Sequence, residues 1–474
     1  MLRLRNTLTK DVEEVLCLDG DTLRMYSCGP TVYRPVHIGN LRSFLLPDLI
    51  ARVLRYHGVP VRRLMNITDV GHMTDELSDE GRDRMLLAAE DEGLSTSEIA
   101  QKYTDDFLRD TDAIGIARAD LYPKATDHIP QIIELVAKLI ERGHAYEKDG
   151  TVFYDVTSFA GYGLLSGQSL DAMQAAHRIE TDPAKRNHQD FVLWVAAGPR
   201  RELTYDSPWG KGYPGWHIEC SAMSLHHLGD RFELHTGGID NRFPHHEDEI
   251  AQSDGAVGHR VVDKWVHGEH LLMDTAKMAK SAGNVVTIQT LTDEGYDPLA
   301  FRYLCFTGRY RRQVDFTPAS LRGAETALRR LREKVAMLGS GGTIARTDAD
   351  LRAALTDEAS IAYQERFLGA VDDDLDLPAA LVILHEVLSD GAVPPEKRFA
   401  LLASWDAILG LDLVSEEELP AELASLIEER ERARAAGDYG RADGIRDRLR
   451  AAGVEVLDSS EGTRWVRKGP NPAG

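Results

Sequence analysis

Four residues scattered along the chain carry donor chemistry for a metal: Cys28, Cys220, His245 and Glu249. His245 and Glu249 are four apart in a stretch that reads as a helix starting at Pro244, so both side chains leave one face. Cys28 closes an apolar–polar alternation that reads as a short strand. Cys220 falls in a stretch that reads as a helix from about Trp216. Two thiolates, one imidazole and one carboxylate suit a tetrahedral Zn²⁺. Taken singly, each cysteine fits equally as a buried apolar filler, and His245 with Glu249 as a solvated helix face. Their spacing decides nothing until a fold gathers them.

A second group suits phosphate. His37-Ile38-Gly39-Asn40 follows the first strand and opens an apolar-periodic run through Leu45, Leu49, Ile50, Val53 and Leu54, expected as a helix that Pro47 kinks or restarts. A helix N-terminus there offers free N–H groups and a positive dipole end, and Gly39 permits close approach. His37 and Asn40 add donors for charge developing on phosphorus. The plainer reading makes Asn40 a helix cap and His37 a surface residue. Far downstream, Lys277 and Lys280 lie in a loop of small residues suited to clamp a triphosphate and release it with product, although exposed basic loops are common.

The elements that must position these groups alternate strand and helix. Strand, loop and helix lead to a turn at His57-Gly58-Val59-Pro60 and a second strand at 61–65, whose carboxyl end carries Asn66-Ile67-Thr68-Asp69. Residues 75–92 are densely charged and expected exposed. Residues 95–111 read as an amphipathic helix with Ser95 and Glu98 spaced as a capping box. A helix over 127–142 precedes a hairpin over 145–154, with Asp149-Gly150 at its turn, and then a loop-rich stretch over 157–189. Phe232 to His235 read as a strand, 236–240 as a tight loop, and a further strand lies within 261–273. From 297 onward the pattern is helical: a basic amphipathic helix over 318–338, a linker at 339–343, a bundle of helices (354–368, 378–388, 398–409), a helical pair (419–436, 439–452) and a small hairpin (454–457, 463–466).

Length and charge bound the class. A chain of 474 residues exceeds one core, and roughly two to four domains are expected. The N-terminus has no apolar signal segment, no apolar run reaches a membrane span, and four cysteines are no disulfide framework, so a cytoplasmic setting is expected. A net charge of −22 argues against a general nucleic-acid coat but leaves room for a specific RNA partner on a local basic face. From residue 421 to the end, ten acidic and ten basic residues balance.

Joined to residues 37–40, the 277–281 stretch resembles the paired signatures of class I aminoacyl-tRNA synthetases. Tyr26-Ser27-Cys28-Gly29-Pro30-Thr31-Val32-Tyr33, the segments 66–70 and 214–223, and Phe243-Pro244-His245-His246-Glu247-Asp248-Glu249 narrow the likeness to the cysteinyl-tRNA synthetases. Further support comes from 164–170, 302–304 and 372–375, and the likeness runs from Leu4 to about Trp465. It implies an α/β fold: a Rossmann-like parallel-sheet catalytic core with an inserted module, then a helical bundle and a small C-terminal anticodon-binding domain. The expected division is 1–118 (core, first half), 119–197 (insert), 198–296 (core, second half), 297–342 (stem-contact helices), 343–416 (bundle) and 417–474 (anticodon-binding tail).

The same resemblance implies the activity: ATP-dependent formation of cysteinyl-adenylate from L-cysteine and transfer to the 3′ end of cysteine tRNA. One Zn²⁺ on Cys28, Cys220, His245 and Glu249 would select the substrate thiolate, and Mg²⁺ would accompany ATP. His37, Gly39, Asn40, Asp240 and Lys280 would hold ATP, with His37, Asn40, Lys277 and Lys280 acting on the phosphates. Thr68, Trp216, His235 and Asp240 would surround the cysteine and ribose. Arg446, Arg450, Arg464 and Trp465 would meet the tRNA, where arginines with a stacking aromatic suit an unpaired loop. Without the resemblance, the tail reads as a salt-bridged helix pair. No membrane is expected, and the chain is expected to be a monomer.

The sequence departs from the family pattern at Asn40, where many relatives carry His, at Ala279 in place of Ser, and at Arg34-Pro35 in place of an acidic–aromatic pair. These changes are expected to tune rate. Two other readings stay on the table. One is a cysteine ligase of the mycothiol type, acting on an amino sugar, which lacks such a tail. The other is a catalytically weak RNA-binding paralogue.

Overall fold

The computed structural model describes residues 1–71, 73–75, 80–168, 184–198, 203–273, 276–277, 286–339, 344–414, 419–459 and 462–467. At its centre four parallel strands run in the spatial order Val262–Gly268, Phe232–Gly238, Leu23–Ser27, Val61–Met65. Period-two side chains sort the two faces. Met25, Leu234 and Val266 join the core packed around the helix Ile38–Tyr56. Tyr26 and Trp265 join the opposite core, with Cys220 and Met223 of the helix Trp216–Leu228 and Ile250 of the helix His245–Val257. From Leu23–Ser27 the chain crosses to one neighbour, and after the insert it returns to the other side. The reversal puts a crevice at the carboxyl ends of Leu23–Ser27 and Phe232–Gly238, where open α/β sheets bind ligands.

The helix Ile38–Tyr56 is continuous through Pro47, so the expected restart does not occur. Its partner strand Val61–Met65 and the Thr96–Ala113 helix with its Ser95/Glu98 capping box match expectation. So does the hairpin Ala145–Lys148/Thr151–Tyr154, whose turn residues Asp149 and Gly150 both have positive φ, 54° and 82°.

Other expectations need correction. Thr236, Gly237 and Gly238 are strand, and the turn begins only at Ile239–Arg242. Tight packing, not a bend, requires the glycine pair: a Cβ on Gly237 would meet His246 at 2.6 Å. Pro244 caps the helix His245–Val257 and lies outside its first turn. The strand expected within 261–273 is two, Val262–Gly268 and Leu271–Met273. The charged 75–92 stretch contains a helix, Arg84–Glu92, that buries Met85 and Ala89. Gly212–Pro214, in a Gly- and Pro-rich approach, is a strand that completes an antiparallel sheet with Phe191–Ala196 and the hairpin. Val314–Phe316 is a strand within the helical half, and the helix expected over 354–368 runs Glu358–Asp372, preceded by a separate short helix, Asp348–Ala354. Of the expected linker at 339–343, residues 340–343 lie outside the described residues.

The bundle, including Leu377–Ser389 and Pro395–Leu409, shares one continuous apolar core with the sheet face that holds Ile38–Tyr56. The tail has a small core of its own, in which Ile445, Leu449, Val454 and Val456 pack with Trp465. Among the described residues, no helix is long and apolar enough to cross a membrane.

Candidate active site

The crevice is a cleft of about 730 Å³. One wall is the stretch that leaves the first core strand. The Cys28 N–H bonds to the Thr236 carbonyl (3.1 Å), so the strand pairing extends to the thiol. Gly29 follows because a Cβ there would lie 1.8 Å from the Asn66 carbonyl oxygen, and its N–H donates to Asn66 Oδ1 at 2.8 Å. Asn66 also donates to Thr68 Oγ1 (3.0 Å). Thr68 is therefore buried behind the Cys28–Gly29 backbone, outside the cleft lining.

His37 caps the helix Ile38–Tyr56, its Nδ1 accepting from the Asn40 N–H at 3.2 Å. With the lone pair at Nδ1, Nε2 carries the hydrogen of a neutral ring. Gly39 lets this ring fold over the helix start, since a Cβ would sit 2.9 Å from Nδ1. His37, Gly39 and Asn40 all line the cleft, and Asn40 is exposed to it. The opposite wall is the Thr236-Gly237-Gly238 strand end with Asp240, whose Oδ1 lies 3.5 Å from His270 Nε2. Of the second signature, the Lys277 backbone pairs with Leu272 in a short strand, and Lys280 lies outside the described residues.

The cleft floor gathers the four scattered donors. Cys28, Cys220, His245 and Glu249 each bring one ligand atom, and these atoms lie within 4.8 Å of one another, all buried. His245 Nε2 is 3.2 Å from Glu249 Oε1, which is 3.8 Å from Cys28 Sγ. Four atoms held about 2.0–2.3 Å from a tetrahedral ion stand roughly 3.3–3.8 Å apart, so this set fits one ion after slight contraction. Burial pushes the Cys28 thiol well up, with Cys220 and Glu249 adding to the rise. At Cys220 the bond to Cys28 pulls down, but burial and Glu249 outweigh it and the thiol is raised. A pocket this unfavourable to anions suits a cation. Trp216 stacks on His245 at 4.4 Å and lines the cleft beside it.

A second set overlaps the first: Cys28, His235, His246 and Glu249. His235 Nε2 is 2.8 Å from Glu249 Oε2, so His235 supports the carboxylate from below. His246 Nε2 is 3.1 Å from Cys28 Sγ, and its Nδ1 is 2.8 Å from His267 Nε2, which continues to Thr7 (2.8 Å). His246 escapes a reading based on i,i+4 spacing, yet it is three residues before Glu249 and shares its face. Burial, with the surrounding histidines, lowers His246 far below the usual histidine range and leaves it neutral. Glu247 and Asp248 are buried too: the Leu165 and Ser166 N–H groups bind Glu247, and His217 and Tyr162 bind Asp248. Arg84 and Asn241 also line the cleft, with no sequence signal to mark them.

The tail residues form a separate group. Arg450 pairs with Glu455 (2.9 Å), Arg446 lies 3.6 Å from Asp443, and Trp465 packs on the tail core. Arg464 reaches Gly339 at the end of the helix Pro318–Met337.

Comparison with known proteins accords with this geometry. A family model described as the class I (C) tRNA synthetase catalytic domain matches residues 15–326, and the cysteinyl-tRNA ligase anticodon-binding domain matches 416–465. A cysteine–tRNA ligase of Treponema denticola is 38% identical over 98% of this chain and 99% of that one. Another, from Thermus thermophilus, is 42% identical over 93% and 94%. Among solved structures, a Mycobacterium tuberculosis methionyl-tRNA synthetase in complex with methionyl-adenylate superposes with a TM-score of 0.55 at 16% identity, covering 82% of this chain and 90% of that one. That likeness is one of fold. On identities of about 40% that run nearly end to end, the chain belongs to the cysteine–tRNA ligase family of class I aminoacyl-tRNA synthetases.

Proposed function

We propose that this enzyme activates L-cysteine with ATP and passes the cysteinyl group to the 3′ end of cysteine tRNA. The observation that carries the reading is the buried Cys28/Cys220/His245/Glu249 set directly beneath the cleft that His37, Gly39 and Asn40 line. The first donor set is favoured over the overlapping one because it brings two thiols. A Zn²⁺ there would offer the substrate thiolate a soft partner that the hydroxyl of serine cannot match.

The remaining work is positioning and charge. Trp216, with Asp240 across the cleft, would flank the amino acid and ribose, while His235 and Thr68 hold Glu249 and the Cys28 loop in place. The substrate carboxylate attacks the α-phosphorus in line and pyrophosphate leaves. Donors from His37 Nε2, Asn40 and the helix N-terminus would stabilise the charge, with Lys277, Lys280 and Mg²⁺. The ribose hydroxyl of the tRNA end then takes the cysteinyl group and releases AMP. Arg446, Arg450, Arg464 and Trp465 would meet the RNA. The six-part domain division, a monomeric state and a cytoplasmic setting belong to the same proposal. The match over 416–465 disfavours an amino-sugar acceptor.

The test is charging of a cysteine tRNA transcript, with zinc content measured on the same sample. Charging by a zinc-loaded chain is expected. Cys220→Ser is expected to lose the metal and at least about 100-fold in rate, beyond the effect of altering a ligand's supporting partners. Adenylate formation without charging would move the acceptor to another molecule. Neither activity in a folded, zinc-loaded protein would overturn the proposal.

A further inference from the structure

A second cluster of metal-type donors lies away from the cleft. His128 ends a short 3₁₀ turn, Thr126–His128, before the helix Ile129–Glu141. His226 and His227 occupy the last turn of Trp216–Leu228, the helix whose first turns carry Trp216 and Cys220. The three rings offer nitrogens within 4.8 Å of one another. His128 is buried, His227 half-buried and His226 exposed, so the cluster opens to solvent on one side.

The hydrogen bonds fix how His128 presents itself. Its Nδ1 is 2.6 Å from the Lys124 carbonyl oxygen, which can only accept. Nδ1 therefore carries the hydrogen, and the Nε2 lone pair points at His227 Nε2, 2.8 Å away. This is the arrangement of a metal-ligating histidine, in which a carbonyl fixes the tautomer from behind. Two imidazole nitrogens about 2.1 Å from one tetrahedral ion stand roughly 3.4 Å apart, so the pair need open only slightly to admit it. His226 lies against both, its ring centroid 5.7 Å from His128 and 4.7 Å from His227. The carboxyl end of a helix also favours positive charge.

We propose that His128, His226 and His227 form a second metal site for a divalent transition ion, Zn²⁺ foremost, with water completing the shell. Binding replaces the His128–His227 hydrogen bond: the His227 hydrogen moves from Nε2 to Nδ1, so both Nε2 lone pairs face the ion and no proton need be released. Three imidazoles without a carboxylate exclude the hard ions Mg²⁺ and Ca²⁺. The ion ties the 126–128 turn to the end of the helix that supplies Cys220. It binds more weakly than an ion held by two thiolates.

The test uses the full chain, stripped with chelator and titrated with Zn²⁺ by calorimetry and elemental analysis. Two ions per chain are expected. The weaker one should lose at least tenfold in affinity in His226→Ala, which changes an exposed side chain, and in His227→Ala, and should survive in Cys220→Ser. The thermal midpoint should rise with the second equivalent in the wild type and not in His226→Ala. One ion in the wild type, lost in Cys220→Ser and kept in His226→Ala, would overturn the proposal. So would a second ion indifferent to both histidine variants.

Discussion

Along the helix that begins beside His37 a cluster of charges sits where water cannot reach it, and most ion pairs of the tail sit where water does. On the helix that begins beside His37, Asp48 is wholly buried and meets Arg302 (2.8 Å), Arg52 (2.9 Å) and Arg63 (3.5 Å). Those arginines in turn hold the Leu409 carbonyl, the Gly115 carbonyl and the second core strand. In the tail, Arg450 and Glu455, or Arg441 and Glu429, pair in the open. A buried charge is stable only with its partners in place, so removing one member of the Asp48 node leaves the others uncompensated. An exposed pair contributes little, because solvent screens it and its side chains lose entropy. The helix that His37 caps is thus anchored through one carboxylate, while the tail keeps a surface whose members can be exchanged.

The sharpest break of that contrast is Asp48→Asn. It leaves Arg302 and Arg63 buried with too little negative charge, and a loss of about 3–5 kcal/mol of stability is expected, read from urea or thermal unfolding. The pH dependence follows from the sign of the shift. Burial alone would raise the Asp48 carboxyl, but Arg302, Arg52 and Arg63 outweigh it and hold it below the usual range. Its stabilisation is complete above the unfolded value, about 3.9, and disappears as pH falls through the lower folded value. The wild type should therefore lose stability below about pH 4 more steeply than Asp48→Asn. Equal slopes would mean that another group carries the acid sensitivity.

This node also shows what the sequence hides. The strand Val61–Met65, the Ser95/Glu98 cap and the His245/Glu249 face follow from local periodicity, and all appear as expected. Gly237 and Gly238 do not, because a glycine pair reads as a turn unless one knows that His246 and Ser43 press against the strand. Nothing local marks Arg63 and Arg302 as buried, since the carboxylate that lets them be buried is distant in sequence. The metal donors were legible as residue types. That Cys28 and Cys220 reach one point follows only from the strand order, in which Leu23–Ser27 and Phe232–Gly238 are neighbours.

One tail arginine breaks the pattern of its surroundings. Arg430 is buried to 1% exposure and holds both oxygens of Asp458, at 2.7 and 2.8 Å, across the helix–hairpin junction. The bond from Arg430 depresses the Asp458 carboxyl. Arg430→Ala is expected to cost about 1–3 kcal/mol of local stability, visible as faster hydrogen exchange in the tail hairpin. Adenylate formation should be unchanged while charging falls, because the tail core is separate from the cleft. Equal loss of both activities would show that tail and cleft fold as one unit.

The smallest effect is expected at Arg450. Its side chain is exposed and its partner Glu455 is local, so Arg450→Ala should leave the unfolding midpoint where it is. If the open side of this helix pair meets RNA, the same change removes one cation from a screened contact. Charging kcat/KM should then fall about threefold at low salt, and the difference should vanish as salt rises. A loss that persists at high salt would mean Arg450 reads a base directly, and no loss at any salt would place the RNA on another face of the tail. Either way the contrast with Asp48 is sharpened: removing the buried charge is felt in folding, and removing the exposed one only when a partner arrives.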